Sequence, residues 1–290
     1  MNPSILFLIT TATEHNDNHL RLPQAFAARG WEAVVADHET LQWEHGTLRA
    51  DGHDVAAADL IWTLGFGPLN TYADRAQMLG QLAPQRLVVP MQAWQQLHGK
   101  AAWLEAAPPT YIATHAEGLA THITAGSDWV LKPLGGSLGR DVIRVQDPDT
   151  VHTHIRSRPT GMWMLQAFVP EIAEGELRTL ICGEEIVGTY RRIANQDAGE
   201  FRANLAQGAR AEIASLNPGQ ASLVAATHQR LQQAGVRFAA IDIVGEYVME
   251  VNLANPGGLS TLAGLYDSDP YQTVVEALGH CIAPTSTSVG

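Results

Sequence analysis

Apolar residues along the first ninety-five or so positions come in short blocks separated by amphipathic stretches. Ile5–Ile9 reads as a short buried strand, and Leu20–Arg29 has helical spacing that ends at Gly30, a residue suited to a helix C-terminus. Trp31–Ala36, Asp59–Leu64 and Leu87–Pro90 read as further strands, with a helix over Tyr72–Leu82 between the last two. Strands alternating with helices predict a parallel sheet with covering helices. In such sheets ligands meet the loops beyond the carboxyl ends of the strands, which singles out Thr11–Asn18 and Gly65–Thr71.

Around Pro108-Pro109 the pattern is interrupted. A strand over Trp129–Lys132, a glycine-rich turn at 135–139 and a strand over Val142–Val145 follow. Beyond them the spacing predicts strands at 163–168, 177–182, 185–190, 237–244 and 247–252, and helices at 220–234 and near 270–280. The expectation is a mixed α/β chain of three lobes, 1–95, 96–165 and 166–290. The last two carry α+β character.

Two segments carry candidate chemistry. In Trp129-Val-Leu-Lys-Pro-Leu-Gly-Gly-Ser-Leu-Gly139, Gly135, Gly136 and Gly139 let backbone N–H groups crowd an anion, and Lys132 ends the preceding strand within reach of it. Gly-rich hairpins are also common as plain turns. The same turn is a literal G-x-S-x-G around Ser137, but a serine-hydrolase elbow needs a helix next, and Val142–Val145 reads as a strand. A Walker loop would place its lysine after the glycines.

The second segment is Phe238–Asn252, two apolar strands around a turn at Gly245-Glu246, interrupted by Asp242, Glu250 and Asn252. Glu250 and Asn252 share a face because strand side chains alternate. Asp242 joins them only if the loop has an odd number of residues, for example Gly245–Tyr247, and that odd loop is the expectation. Two carboxylates and an amide oxygen on one face are hard ligands suited to Mg²⁺. The plainer alternative is a polar outer face of a half-exposed hairpin. A series of arginines (Arg178, Arg191, Arg192, Arg202, Arg210) could supply a local positive field, with Arg178, Arg192 and Arg202 preferred. The twelve histidines are scattered, and none is assigned to a metal.

Composition changes this picture in three ways. Of 18 lysine and arginine residues only Lys100 and Lys132 are lysine, so these two positions stand out as places where a compact ammonium is kept. The net charge of −12 argues against nucleic acid or an anionic membrane as partner. Two distant cysteines, no secretory leader and no apolar run near ~20 residues fit a cytoplasmic protein without a disulfide framework.

Taken in order, these segments resemble the ATP-grasp superfamily, and most of all bacterial glutathione synthetase, from about residue 96 to about 265. Val130-Leu-Lys-Pro-Leu-Gly-Gly resembles that family's lysine strand and phosphate-covering loop, and Gln166-Ala167-Phe168-Val169-Pro its adenine hinge. Glu174-Gly-Glu176-Leu-Arg178 resembles the segment with an acid on the ribose side and an arginine on the phosphates. Arg191-Arg192-Ile with Phe201-Arg202-Ala-Asn204 resembles its substrate loop, and Asp242 with Glu250 and Asn252 its metal hairpin. Lys100 falls where the family has its other nucleotide lysine.

The resemblance implies an ATP-grasp fold behind an N-terminal parallel-sheet (pre-ATP-grasp) domain, and an ADP-forming ligase that joins a carboxylate substrate to an amine through an acyl phosphate. It implies ATP with Mg²⁺ (two ions, or Mn²⁺ in their place), a small-molecule or peptide carboxylate, an amino-acid or amine acceptor, and a homo-oligomer. γ-Glutamylcysteine and glycine are the leading substrate pair. The chain departs from the family where substrate is chosen. Gly65-Phe-Gly-Pro-Leu-Asn70 lacks basic residues, and Asn252 is followed by Leu-Ala-Asn-Pro-Gly-Gly-Leu259, whose glycines could form a nest for a carboxylate. Other amino-acid or peptide ligases, and a non-catalytic nucleotide-binding protein, are the alternatives.

Overall fold

The computed structural model describes residues 2–10, 16–136, 139–158, 161–195, 202–203, 205 and 208–282. Strand β1 (Ser4–Ile9) is the centre of a parallel three-stranded sheet, flanked by β2 (Glu32–Asp37) and, after the small hairpin strands β3 (Gln42–Glu44), β4 (Thr47–Ala50) and β5 (His53–Asp54), by β6 (Leu60–Thr63). Helix α1 (Asn18–Ala28) returns the chain between β1 and β2, and its end is turned by Gly30 at φ +82°, a conformation that costs glycine little. Helices α2 (Tyr72–Leu79) and α3 (Met91–Leu97) follow. The expected strand at Leu87–Pro90 is reduced to a single parallel bridge, Ile61 to Leu87, because Pro90 leads directly into α3.

Strands β7 (Thr110–Ala113), β8 (Trp129–Pro133), β9 (Ile143–Val145) and β10 (Trp163–Ala167) form an antiparallel sheet in the order β7-β10-β8-β9. Helices α4 (Glu117–Ala120) and α5 (Pro148–Arg156) accompany it; α5 starts where the Asp147 side chain accepts from the Thr150 N–H, with Pro148 in its first turn. Leu119, Leu131, Val151, Trp163 and Leu165 make this unit's own core.

Strands β11 (Glu176–Cys182), β12 (Glu185–Ile193), β13 (Arg210–Ile213), β14 (Phe238–Val244) and β15 (Tyr247–Asn252) form the largest sheet, ordered β13-β12-β11-β14-β15. Helix α6 (Pro218–Gln233) opens with a full capping box between Asn217 and Gln220, and α7 (Leu259–Leu265) and α8 (Pro270–Ile282) close the chain. This sheet and the N-terminal one share a single core, in which Phe7, Phe26, Trp62 and Phe238 pack ring against ring. The seam is also bonded, since Val88 N–H donates to Ile61 and Arg237 N–H donates to Val88. The antiparallel unit thus stands on the rest of the molecule with a separate core.

Candidate active site

Strand register brings the central residues together. Across β12, β11, β14 and β15 the pairs Arg178–Tyr190, Arg178–Asp242 and Asp242–Glu250 lie side by side, so Tyr190, Arg178, Asp242 and Glu250 form one transverse row. Asn252, opposite Ala240, is two residues further along the same edge. The expected odd loop is not what produces this. The turn is the two-residue Gly245-Glu246, with Val244 paired to Tyr247, and taken alone it would set Asp242 against Met249. A β-bulge at Met249 inserts one extra residue, shifts the register between Asp242 and Ile243, and returns Asp242 to Glu250.

The carboxylates of this row face cations. Arg178 grips Asp242 with two bonds, from Nε at 2.8 Å and Nη2 at 2.6 Å, and Arg192 reaches the same carboxylate at 2.9 Å and Glu176 at 2.5 Å. Burial alone would push Asp242 up, but the Arg178 and Arg192 guanidiniums outweigh it and hold the carboxyl at about 2. Lys100 donates to Glu250 at 3.0 Å and to the Gly136 carbonyl at 3.2 Å. It is held there because Gly99 pairs through both N–H and C=O with Val251 on the free edge of β15, while the Leu253 N–H donates to the His98 ring.

Lys132 projects from β8 toward this row, and its ammonium donates to Gln166 at 2.8 Å. Burial, then the nearby Lys100 ammonium, lower its pKa to about 8. Gln166, Ala167, Phe168 and Val169 run from β10 into the next turn and line the same cleft, with Gln166 beside Lys132. The Arg144 guanidinium lies 3.9 Å from the Phe168 ring centre and makes two bonds to Asp128, whose carbonyl accepts the Phe168 N–H at 3.0 Å. Gly135 and Gly136 lie in the turn after β8, and Gly139 is tied by Arg202, which donates to its carbonyl at 2.7 Å. Ser137 and Asn204 lie outside the described residues, as does part of the loop Thr11–Asn18. The segment after the G-x-S-x-G turn is β9, a strand paired to β8, so no strand–turn–helix elbow is formed.

Both lysines, Gly136, Gly139, the hinge 166–169, Glu176, Arg178, Arg192, Arg202, Asp242, Glu250 and Asn252 open on one cleft of about 650 Å³, walled by β8 and the hinge on one side and the β11–β15 face on the other; Gly135 and Arg144 do not line it. Arg191 points the opposite way from Arg192 against Gly175, and Arg210 is 69% exposed with Glu212 as its partner, so neither lines it. Loop 65–71 does not line it either: Phe66 packs on Tyr72, Trp94 and His98, and Gly65 N–H donates to Ala254. From the N-terminal sheet the cleft receives Asn16 and Asp17. Both belong to the loop 11–18 that the strand order marks, and Asn255 to the segment after Asn252 where the chain departs from the family; Tyr190, Ser260 and Thr261 were not singled out.

Asp242, Glu250 and Asn252 are oxygen donors of the kind a hard divalent cation takes. All three line the cleft, two of them already meet positive charge, and Asn252 Oδ1 accepts the Ala254 N–H at 3.0 Å. No group of three His, Cys, Asp or Glu poised for a metal occurs among the described residues, so an amide oxygen and a ligand's own oxygens would have to complete the shell.

A three-part molecule with a nucleotide-sized cleft between an antiparallel lid and a larger sheet has the ATP-grasp architecture. Solved structures of this fold superpose over nearly the whole chain. They include D-cycloserine synthetase DcsG (TM-score 0.68, 15% identity, 96% of this chain and 99% of that one) and a RimK domain ATP-grasp protein from Sphaerobacter thermophilus (TM-score 0.65, 21% identity, 95% and 100%). Residues 99–267 match the family model of the prokaryotic glutathione synthetase ATP-grasp domain, and the chain belongs to that family.

Among its relatives, glutathione synthetase of Prochlorococcus marinus subsp. pastoris is 31% identical over 192 residues, 65% of this chain and 62% of that protein. The chain therefore aligns with under two thirds of that relative's length. Glutathione synthetase of Rhodopseudomonas palustris is 25% identical over 262 residues, 85% of this chain and 83% of that protein.

Proposed function

We propose that the protein is an ATP-dependent, ADP-forming carboxylate–amine ligase that makes an amide bond, with γ-glutamylcysteine and glycine as its leading substrate pair. The observation that carries the reading is the convergence, in one cleft, of both lysines of the chain with the Asp242–Glu250–Asn252 edge. ATP would lie with its base against the hinge 166–169 and its phosphates toward Lys132, Lys100 and Arg178. Mg²⁺ held by Asp242, Glu250 and Asn252 would neutralise charge on the phosphate oxygens. Two ions are the expectation.

The substrate carboxylate oxygen attacks the γ-phosphorus, the bond to the β–γ bridging oxygen breaks, and ADP leaves with that electron pair. Lys132, buried and desolvated, and Arg178, fixed by Asp242, hold charge in this transfer without having to reorganise. The amine nitrogen then attacks the acyl carbon, phosphate departs, and the nitrogen loses its proton to give the amide. The glycine turn over the phosphates excludes water from the acyl phosphate. No side-chain nucleophile takes part.

An ADP-release assay with Mg²⁺–ATP against a panel of acids and amines tests this. Turnover of γ-glutamylcysteine plus glycine is expected. Turnover of another pair only would reject the named substrates and keep the ligase; nucleotide binding without turnover of any pair would reject the ligase.

A further inference from the structure

The end of the cleft away from the hinge is built differently from the rest. Among the described residues, every cation that lines the cleft belongs to residues 100–202, and the segment between β1 and α1 contributes Asn16 and Asp17. Asp17 is tied to the transfer centre through short contacts. Arg178, which holds Asp242, donates to the Gly257 carbonyl at 3.1 Å; a side chain at Gly257 would touch Asn16 at 3.4 Å; and Ser260, one turn on, donates to Asp17 at 2.6–2.7 Å.

The Tyr271 hydroxyl also reaches Asp17 at 3.2 Å. These hydrogen bonds to the ionised form outweigh its burial and depress its pKa. Its side chain remains 40% exposed, and its basic partner among the described residues, Arg21, sits at 3.5 Å outside the cleft, stacked on the Tyr271 ring. The turn beyond offers carbonyls as well: those of Asn255, Pro256 and Gly257 accept from Asn16, Asn18 and Arg178. Acceptors and the fixed negative charge of Asp17 suit a cation.

The geometry points to Asp17 as a specificity residue that receives the ammonium group of a substrate, an amino group that takes no part in bond formation. This rests on the ligase reading of the same cleft. The substrate class is then an amino acid or peptide with a free, protonated amino group, as opposed to its des-amino or N-acylated counterpart.

The test compares kcat/KM for γ-glutamylcysteine and for glutarylcysteine, the same molecule with hydrogen in place of the amino group, each with glycine. A charge-assisted hydrogen bond at a partly exposed site should favour the amino substrate by at least about tenfold in the wild type. In Asp17→Asn the ratio should fall to within about threefold of one. A structural role alone would lower both rates together and leave the ratio, which overturns the proposal, as does a wild-type ratio near one. If Asp17→Asn does not fold, Asp17→Ser is measured in its place, and the wild-type ratio still decides. If a different pair is the one turned over, the named substrates fail, and the same comparison is made with that pair's des-amino analogue.

Discussion

Lys132 sits where burial and the Lys100 ammonium both work against its charge, and its pKa of about 8 is the result. A triphosphate reverses that balance, because it favours the protonated form. The sign follows: below pH 8 the free protein already carries the proton, and above it the proton must be taken up as ATP binds. ATP affinity should therefore fall as pH rises through about 8, by up to about tenfold per unit. Calorimetry in buffers of different ionisation enthalpy should show proton uptake at pH 9 and little at pH 6.5. Lys132→Ala should lower kcat/KM by about 10²–10³ or more, the scale of losing one preorganised charge donor, and steady-state kinetics would expose a mistaken role by finding no loss.

Asp242 is the opposite case, a carboxylate depressed to about 2 by two buried guanidiniums. Its contribution to stability is present above about pH 4 and is lost as pH falls toward 2, on the order of 2 kcal/mol. Asp242→Asn leaves Arg178 and Arg192 without this anion, and urea unfolding at pH 7 should show a loss of about 3–5 kcal/mol alongside lost activity.

The lysines and the acids of this row were legible in the sequence because each interrupts an apolar strand or stands alone in an arginine-rich chain. Ser260 was not, and Asn16 and Asp17 were marked only as part of the loop beyond the end of β1, with no motif of their own. They lie in turns of ordinary polar composition, and the packing of α1 against the 255–260 turn brings them to the cleft.

At the scale of elements, the strongly apolar strands β1, β8, β11, β14 and β15 and the periodic helices α1 and α6 lie within a few residues of their predicted spans. The hairpin shows that side chains can share a face without the element expected to bring them there. Asp242, Glu250 and Asn252 do share a face, but through an even turn and a bulge rather than an odd loop. Alternation of residue types cannot distinguish these, since both add one residue between the two acids. The edge strands β7 and β13 were unread because neither buries a residue fully, so pairing with a neighbour defines them.

One consequence belongs to an element boundary. Arg144 of β9 bridges Asp128, before β8, and the Phe168 ring, after β10, so it braces the hinge without lining the cleft. Arg144→Gln should raise KM for ATP about 2- to 5-fold while kcat holds, the size of one exposed cation–π contact. An equal fall in kcat would assign it to folding or to catalysis instead.

In the whole molecule, the antiparallel unit has its own core, while the first and last sheets share one. Relative motion is therefore cheapest at the cleft, where the two parts meet through polar contacts. Two of those contacts fasten the glycine turn itself: Lys100 to the Gly136 carbonyl and Arg202 to the Gly139 carbonyl. A triphosphate would draw Lys100 away from its carbonyl, and a substrate carboxylate would draw Arg202, so side chains that would hold the two reactants fasten the turn in this structure.

Removing both should free the turn without loosening either core. In the Lys100→Ala/Arg202→Ala double variant, limited proteolysis within the turn between β8 and β9 should quicken by about tenfold, the equivalent of two modest hydrogen bonds in the opening equilibrium. The thermal midpoint should move by only a few degrees, because neither hydrophobic cluster is touched. Mg²⁺–ATP should protect the turn in the wild type and fail to do so in the double variant. Equal cleavage rates without nucleotide would show that the turn is held by its own backbone rather than by these two cations, and the cleft would then have to close by movement of the whole antiparallel unit.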